Sequence, residues 1–542
     1  YETQIVDINF SKLAGTATFL VLFCIGISIF QKTRHSFKYP GKTTENSMSE
    51  VRTRFAPSPT GYLHIGGLRT ALYAFLWARH NRGTFILRIE DTDRARLVEG
   101  AIEDIMESLK WVGINWDEGP DIGGPYGPYL QSKRLDIYKK HAEELLEKGK
   151  AYRCFCSPER LEEIRKAQRE KGERIGYDGH CRGLSEEEVQ KKIESGEPYV
   201  IRLKIEQKGV TAFKDLIRGK IETPNNILDD HILIKSDGYP TYHMANVVDD
   251  HLMAITHVIR GEEWISSTPR HIALYRAFGW DPPEFAHVPV ILAEGGGKLS
   301  KRHGATTVRE FRENGYLPEA LLNFVALLGW AIDDKTEIID METMIKHFDI
   351  TKVNKSSAIF SYNKLDWFNG VYIRNTGDEE LLKQIEPFLL KSGLLNDEEI
   401  KSNKTYLKKI IPLIRERLKN LSQAPELIGF FFDRHYRIRE EQALIPKGLS
   451  PEEGIKILEV SKKALEKIDQ FNEKNIEESL RKLMSEMGLK PAQIFMPLRV
   501  AITGSRVSPG LFETISVLGK ERTIERIENG IKTLEQINRQ TN

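Results

Sequence analysis

Val51-Arg52-Thr53-Arg54-Phe55-Ala56-Pro57-Ser58-Pro59-Thr60-Gly61-Tyr62-Leu63-His64-Ile65-Gly66-Gly67 is the stretch whose reading decides the fold. Residues 51–56 read as a strand and 57–61 as a turn. Beyond them Leu68, Ala71, Leu72, Phe75 and Leu76 recur at helical spacing, so Gly66 and Gly67 fall at a helix N-terminus. Unpaired amides and the positive end of the helix dipole favour an anion there, and glycine lets a ligand approach the backbone. By itself the segment is an ordinary strand-turn-helix corner. A second segment, Lys298-Leu299-Ser300-Lys301-Arg302, lies more than two hundred residues later, behind the flexible lead Glu294-Gly295-Gly296-Gly297. It could close two lysines over phosphates; by itself it is only a charged loop.

Outward from the first segment, strands and helices alternate. Residues 84–89 read as a buried strand, and 101–112 as a helix with Ile102, Ile105, Met106 and Leu109 on one face. Alternation of this kind predicts an α/β fold, a parallel sheet flanked by helices. Ligands of such sheets bind at the carboxyl ends of the strands, where the Arg54 and Glu90 segments fall. From about 131 to 245 the chain becomes an insertion of charged helices (159–171, 185–194) with strands near 199–205 and 232–234. Beyond 305 the strand signal fades, and 317–328, 381–390, 405–418 and 452–468 read as helices.

The 542 residues allow three or four domains with buried cores. Lysine plus arginine number 79 against 78 aspartate plus glutamate, so any RNA-binding surface must be a local patch rather than a global excess of charge. The basic runs near 404–409 and 415–419 read as solvated helix faces as readily as RNA contacts. Four cysteines (Cys24, Cys154, Cys156 and Cys181) suit a reducing cytosol better than a disulfide scaffold. Residues 1–47 differ from the rest: 13–30 is almost wholly apolar or small and has the minimum length of a membrane span. Three readings stand for it, namely an anchor, an uncleaved targeting segment, and sequence translated from upstream of the true start. The last is the expectation, since the chain opens on tyrosine and Met48-Ser49-Glu50-Val51 has the form of a start.

His64-Ile65-Gly66-Gly67 and Lys298-Leu299-Ser300-Lys301-Arg302 resemble the HIGH and KMSKS motifs of the class I aminoacyl-tRNA synthetases, in the form found in the glutamyl branch. Arg54-Phe55-Ala56-Pro57-Ser58-Pro59-Thr60-Gly61, Arg88-Ile89-Glu90-Asp91-Thr92-Asp93, Tyr239-Pro240-Thr241-Tyr242-His243-Met244-Ala245-Asn246 and Val258-Ile259-Arg260-Gly261-Glu262-Glu263-Trp264 extend the resemblance, in order, over the chain from Met48. It is similar to the bacterial-type glutamyl enzymes. The resemblance implies a Rossmann-type catalytic sheet in two parts (48–130 and 246–296), split by an α+β connecting insertion (131–245) that holds the tRNA acceptor end. A KLSKR loop and stem-contact region (297–377) and a largely all-α anticodon-binding region (378–542) would follow. The extension 1–47 would not belong to the native enzyme.

The implied activity is ligation of L-glutamate to the 3′ end of tRNA(Glu) through glutamyl-adenylate, with ATP and Mg2+, by a cytoplasmic monomer. AMP and diphosphate would be released, and activation would need bound tRNA. In that chemistry a carboxylate attacks the α-phosphate, and the protein aligns two anions and stabilises the growing charge. By resemblance His64, Lys298 and Lys301 serve the phosphates, with Ser58, Thr60, Gly66, Gly67, Glu263 and Ser300 around the ATP; Gly67 stands where HIGH has its last histidine. Glu90 would meet the substrate ammonium. Arg54, Arg260 and Tyr242 would enclose its carboxylates, with Ala56, Ser58 and Asn246 completing the pocket. A guanidinium fork suits a carboxylate better than a lysine does. Glutaminyl relatives carry an uncharged residue at Arg260, so its presence favours glutamate.

Cys154-x-Cys156 with Cys181 further on has the spacing of a zinc site that lacks its fourth ligand. Tyr177 matches a tyrosine used by related enzymes that glutamylate a tRNA base, His180 is a second candidate, and the alternative is a metal-free remnant. Three other functions stand beside the leading one. An enzyme that also charges tRNA(Gln) is compatible with every motif, and the base-glutamylating paralogue would lack the helical C-terminal half. An inactive RNA-binding or membrane-tethered paralogue predicts damaged motifs, which are intact here.

Overall fold

The structure, a computed structural model, describes residues 50–541. The extension 1–47, with its apolar stretch and Cys24, lies outside the described residues, as does the side chain of Lys301. No helix among the described residues is long and apolar enough to cross a membrane.

Six strands form the main sheet: β1 (Arg52–Phe55), β2 (Thr84–Leu87), β5 (Val210–Asp215), β6 (Gly219–Pro224), β8 (His257–Gly261) and β9 (Glu284–Val288). Their order is β2-β1-β8-β9-β5-β6, and every neighbouring pair is parallel except the β5–β6 hairpin. Helices cover both faces, which is why the strands read as apolar runs. On one face α1 (Ile65–His80) buries Leu68, Leu72, Phe75 and Leu76 with Phe55, Phe85 and Leu87. On the other, Ile86, Val258 and Phe285 pack with Met253 and Ile272. The two predicted strands and the predicted helix at 101–112, here α2 (Ala101–Trp111), stand within two residues of their expected ends.

The insertion is less separate than the sequence suggests. Residues 131–245 read as one block, yet β5 and β6 lie inside it and extend the main sheet through the parallel pair Asp215↔Phe285. Half of this hairpin faces water, so its residues carry the charge of a surface segment, and its partner β9 is about seventy residues away. Periodicity reports local structure and is blind to such non-local pairing. A smaller antiparallel sheet, β3 (Ala151–Cys154), β4 (Val200–Leu203) and β7 (Ile232–Ile234), does belong to the insertion. Its core is shared with α3 (Leu135–Glu147), α6 (Tyr242–Leu252) and α7 (Thr268–Phe278).

Past the second glycine-rich segment, β10 (Ile291–Ala293) pairs in parallel with β11 (Ala358–Phe360). The fading strand signal missed β11 because three residues are too few to set a period. Residues 308–368 share the core of the main sheet, whereas Leu317, Ala320 and Ile373 join the helical core that runs from Leu381 to Ile537. At this junction Gly315 has φ +81° and its carbonyl accepts from the Leu421 amide at 2.9 Å. A Cβ there would lie 2.5 Å from the Ser422 nitrogen. Gly315→Ala combines a left-handed backbone with a backbone clash and is expected to cost about 2 kcal/mol or more. A thermal melt checks this, with a clearly lowered Tm expected.

Candidate active site

One cleft of about 630 Å³ opens at the carboxyl ends of β1, β2, β8 and β9. Backbone bonds bring the two distant motifs together: the Ile65 amide donates to the Thr306 carbonyl (2.9 Å) and the Val308 amide to the Leu63 carbonyl (2.8 Å). The lead into the second motif turns through Gly295, Gly296 and Gly297, all at positive φ, a run that residues with a Cβ rarely adopt. Ser58, Thr60, His64, Gly66, Gly67, Glu263, Lys298 and Ser300 all line the cleft, as do Arg54, Ala56, Glu90, Tyr242, Asn246 and Arg260.

His64 caps a helix and lines the cleft at once. It is the N-cap of α1, with Nδ1 accepting from the Gly67 amide at 3.1 Å. That bond requires Nδ1 to be unprotonated, so the neutral ring carries its proton on Nε2 and can donate into the cleft. Desolvation by the cleft walls and the charge of Lys298 hold its pKa below the ordinary histidine value, which favours this neutral form. The cap also changes the expected anion site. Of the first-turn amides, Ile65 bonds Thr306 and Gly67 bonds His64, so Gly66 is left to face a ligand.

Behind the cleft lies a buried ionic cluster. Asp250 accepts from Arg54 Nε (3.1 Å) and Arg88 Nη1 (2.7 Å). Asp249, its neighbour on α6, accepts from Arg134 Nε (2.7 Å), Gln131 Nε2 (2.9 Å) and the Tyr138 hydroxyl (2.7 Å). Arg88 also donates through Nη2 to Glu90 Oε1, which takes a second bond from Asn246 Nδ2, both at 3.1 Å. No described residue bonds Glu90 Oε2, so that oxygen keeps its lone pairs for a ligand. Burial raises the Glu90 pKa against the pull of Arg88 and Arg54.

Arg260, 5 % exposed, is arranged differently. Its Nη1 donates to the Tyr242 hydroxyl (3.0 Å) and lies 3.3 Å from His271 Nδ1. Its Nη2 donates to Thr268 Oγ1 (2.8 Å) and its Nε to His287 Nε2 (3.1 Å). Among the described residues none of its direct partners is a carboxylate. The Tyr242 hydroxyl, having accepted from Arg260, retains its own proton to donate. Trp264 lies over Tyr242, ring centroids 4.3 Å apart, at the lip of the cleft.

The cysteines do converge. The sulfurs of Cys154, Cys156 and Cys181 lie within 4.8 Å of one another, with Cys156 and Cys181 at 3.6 Å. Thiolates on a tetrahedral zinc ion are about 3.8 Å apart, given Zn–S bonds of about 2.3 Å, so the donor set fits. Tyr177 closes the fourth side, its hydroxyl 3.3 Å from Cys154 and 3.9 Å from Cys156. His180 is exposed and outside the cluster. Burial and the neighbouring Cys154 push the Cys156 thiol up to about 12.

Residues 50–367 match the family model described as "tRNA synthetases class I (E and Q), catalytic domain", and residues 380–531 match an "Anticodon binding domain". The chain is 49 % identical over 493 residues to a glutamate–tRNA ligase of Dehalococcoides mccartyi, covering 90 % of this chain and 99 % of that relative. The chain belongs to the glutamate–tRNA ligase family. A Treponema denticola glutamate–tRNA ligase is 47 % identical over 502 residues, 89 % of this chain and 99 % of its own. The crystal structure of a glutamate–tRNA ligase from Elizabethkingia meningosepticum in complex with its amino acid superposes with a TM-score of 0.80 at 43 % identity, covering 90 % of this chain and all of that one. The cleft described above lies within the part matched by the class I catalytic model, and the helical C-terminal half is the part matched by the anticodon-binding model.

Sequence reasoning missed Asp249 and Asp250, although Asp250 stands four residues after Asn246 and so shares its helix face. It also missed Arg69, whose Nη1 and Nη2 donate to the carbonyls of Leu328 and Pro289 and which lines the cleft from α1. Nothing in an apolar helix pattern marks such a residue beforehand. Removing the Asp250 charge leaves two buried arginines short of an anion, and Asp250→Asn is expected to lose about 3–5 kcal/mol in a denaturant titration. Burial opposes ionisation of Asp250, but Arg54 and Arg88 hold its pKa below the usual range. Its contribution is therefore complete above about pH 4 and lost as pH falls through the depressed value, and the variant should lack that acid limb.

Proposed function

We propose that the enzyme joins glutamate to ATP in this cleft, forming glutamyl-adenylate and diphosphate, and then transfers the glutamyl group to the 2′-hydroxyl of the terminal adenosine of tRNA(Glu). The observation that carries the reading is the partner set of Arg260: a buried guanidinium held only by neutral groups. Burying an uncompensated charge is expensive, so such a group is poised for an incoming anion. The substrate's side-chain carboxylate would receive the remaining Nη2–H of Arg260 and the Tyr242 proton. Two donors suit two carboxylate oxygens, whereas a carboxamide would turn its own N–H against one of them.

The rest of the cleft supports the same orientation. Glu90 Oε2 would take the substrate ammonium. Arg54 has one N–H left on each terminal nitrogen after its bonds to Asp250 and Ile259, and these would reach the α-carboxylate. That carboxylate attacks the α-phosphorus while the bond to the β-phosphate breaks. His64 Nε2–H, the Gly66 amide, Lys298 and, by its motif, Lys301 would stabilise the charge on the phosphate oxygens; Ser58, Thr60, Glu263 and Ser300 would border the nucleotide, with Mg2+ accompanying it. Loss of one such donor typically costs about 3 kcal/mol in the barrier. We take the connecting insertion to hold the acceptor end and the enzyme to act as a cytoplasmic monomer.

Pyrophosphate exchange tests the assignment. Exchange is expected with glutamate in the presence of tRNA and not with glutamine; exchange with glutamine alone would overturn it. For the cysteine cluster we infer a structural Zn2+ held by Cys154, Cys156, Tyr177 and Cys181, tying β3 to the loop that follows the helix Pro158–Glu170. Elemental analysis of protein purified without chelator should give about one equivalent of zinc. Under a tenth of an equivalent ends that reading.

A further inference from the structure

The register of the sheet sets His287 beside Arg260, since β8 and β9 are parallel with Arg260↔His287 as Cα partners. His287 is fully buried, and its Nδ1 lies 2.6 Å from Asp215 Oδ2. A carboxylate accepts only, so the ring proton sits on Nδ1 and Nε2 presents a lone pair. That lone pair accepts from Arg260 Nε at 3.1 Å. Asp215 is itself over-determined: Oδ1 takes the amides of Ile217 (3.0 Å) and Arg218 (2.8 Å), and Oδ2 also takes the His287 amide (3.1 Å). The Thr268 hydroxyl accepts from Arg260 Nη2, and its oxygen lies 3.1 Å from His287 Nε2 and 3.2 Å from the Trp264 carbonyl; its proton can go to that carbonyl, which leaves the imidazole lone pair to Arg260.

We propose that Asp215 and His287 are positioning residues for glutamate specificity, fixing by tautomer and hydrogen bond the plane of the Arg260 fork without neutralising it. This rests on the reading of Arg260 given above. A carboxylate placed directly on Arg260 would hold it equally well but would occupy the fork and cancel the charge that selects an acidic side chain. An interposed neutral imidazole keeps the geometry and leaves the charge. Burial, with Arg260 and Arg218 nearby, keeps the His287 pKa below the ordinary value, consistent with a neutral ring. Asp215 comes from the hairpin that the insertion lends to the main sheet, so the support reaches Arg260 across a strand pairing invisible to local sequence.

Steady-state aminoacylation at saturating tRNA tests this. His287→Leu removes the acceptor and is expected to raise the KM for glutamate about tenfold or more, with kcat and the KM for ATP within about threefold. His287→Gln, whose side-chain oxygen can still accept from Arg260, should recover most of that loss. Asp215→Asn, which places an N–H against a site of donors, should shift the glutamate KM in the same direction even if His287→Leu fails to fold. The proposal falls if His287→Leu and Asp215→Asn both leave the glutamate KM within about twofold of the parent, or if His287→Gln is as impaired as His287→Leu. Arg260→Gln separates the two levels. If it raises the glutamate KM while the other variants do not, only the positioning role is lost; if it leaves that KM unchanged, the reading of Arg260 falls as well.

Discussion

Two adjacent carboxylates on one helix, Asp249 and Asp250, hold the catalytic half together. Asp250 ties Arg54 of β1 to Arg88 just past β2, and Asp249 ties α6 to Arg134, Gln131 and Tyr138 at the start of the insertion. Buried ions are costly, and the desolvation penalty of several kcal/mol per ion is repaid only where every lone pair and proton finds a partner. Here the charges balance, although Arg88 Nε, 3.9 Å from Asp249 Oδ2, makes no hydrogen bond and Glu90 Oε2 is left open. Three guanidiniums (Arg54, Arg88 and Arg134) face three carboxylates (Glu90, Asp249 and Asp250), all at most 5 % exposed. The cluster is thus neutral and rigid, and it lines up the carboxyl ends of strands that are far apart in the chain.

Neutrality inside that cluster gives the exception its meaning. Glu90 is the one member of the cluster that reaches the cleft with an unbonded oxygen. Arg260 is a buried cation outside it whose described hydrogen-bond partners are all uncharged, as are those of Arg69 on α1. One end of the pocket therefore offers an open carboxylate oxygen and the other a guanidinium with no carboxylate on it. The geometry suits a zwitterion that carries a second acidic group, and it suits it through placement of charge rather than through shape alone.

How much of this was legible in the sequence depends on the range of the interaction. The helix after His64 and the strands at Arg54 and Glu90 follow from local periodicity, and they lie where it set them. Which residues meet across the cleft was accessible only through the resemblance of the motifs. Spacing could not reveal that the residues flanking His64 bond to the segment following the second motif through Leu63–Val308 and Ile65–Thr306. The expectation of bare amides at the start of α1 was too simple, because a cap that uses His64 consumes one of them. The long-range ionic pairs escaped altogether: Asp250 lies 196 residues from Arg54, and charge alone does not say which opposite charge it will find.

The insertion carries the same lesson in the other direction. Between the two motifs the chain leaves the main sheet, builds a small antiparallel sheet of its own, and on the way gives β5 and β6 back to the larger one. The residues of β5 bond β9 at Asp215 and Phe285, so the wall beside Arg260 is completed by the insertion rather than interrupted by it. A catalytic sheet cut at 130 and rejoined at 246 would lose Asp215, and with it the partner that sets which nitrogen of His287 carries the proton. The substrate end of the cleft and the insertion are consequently one structural unit, and the boundary between them runs through a hydrogen-bonded strand pair rather than a linker.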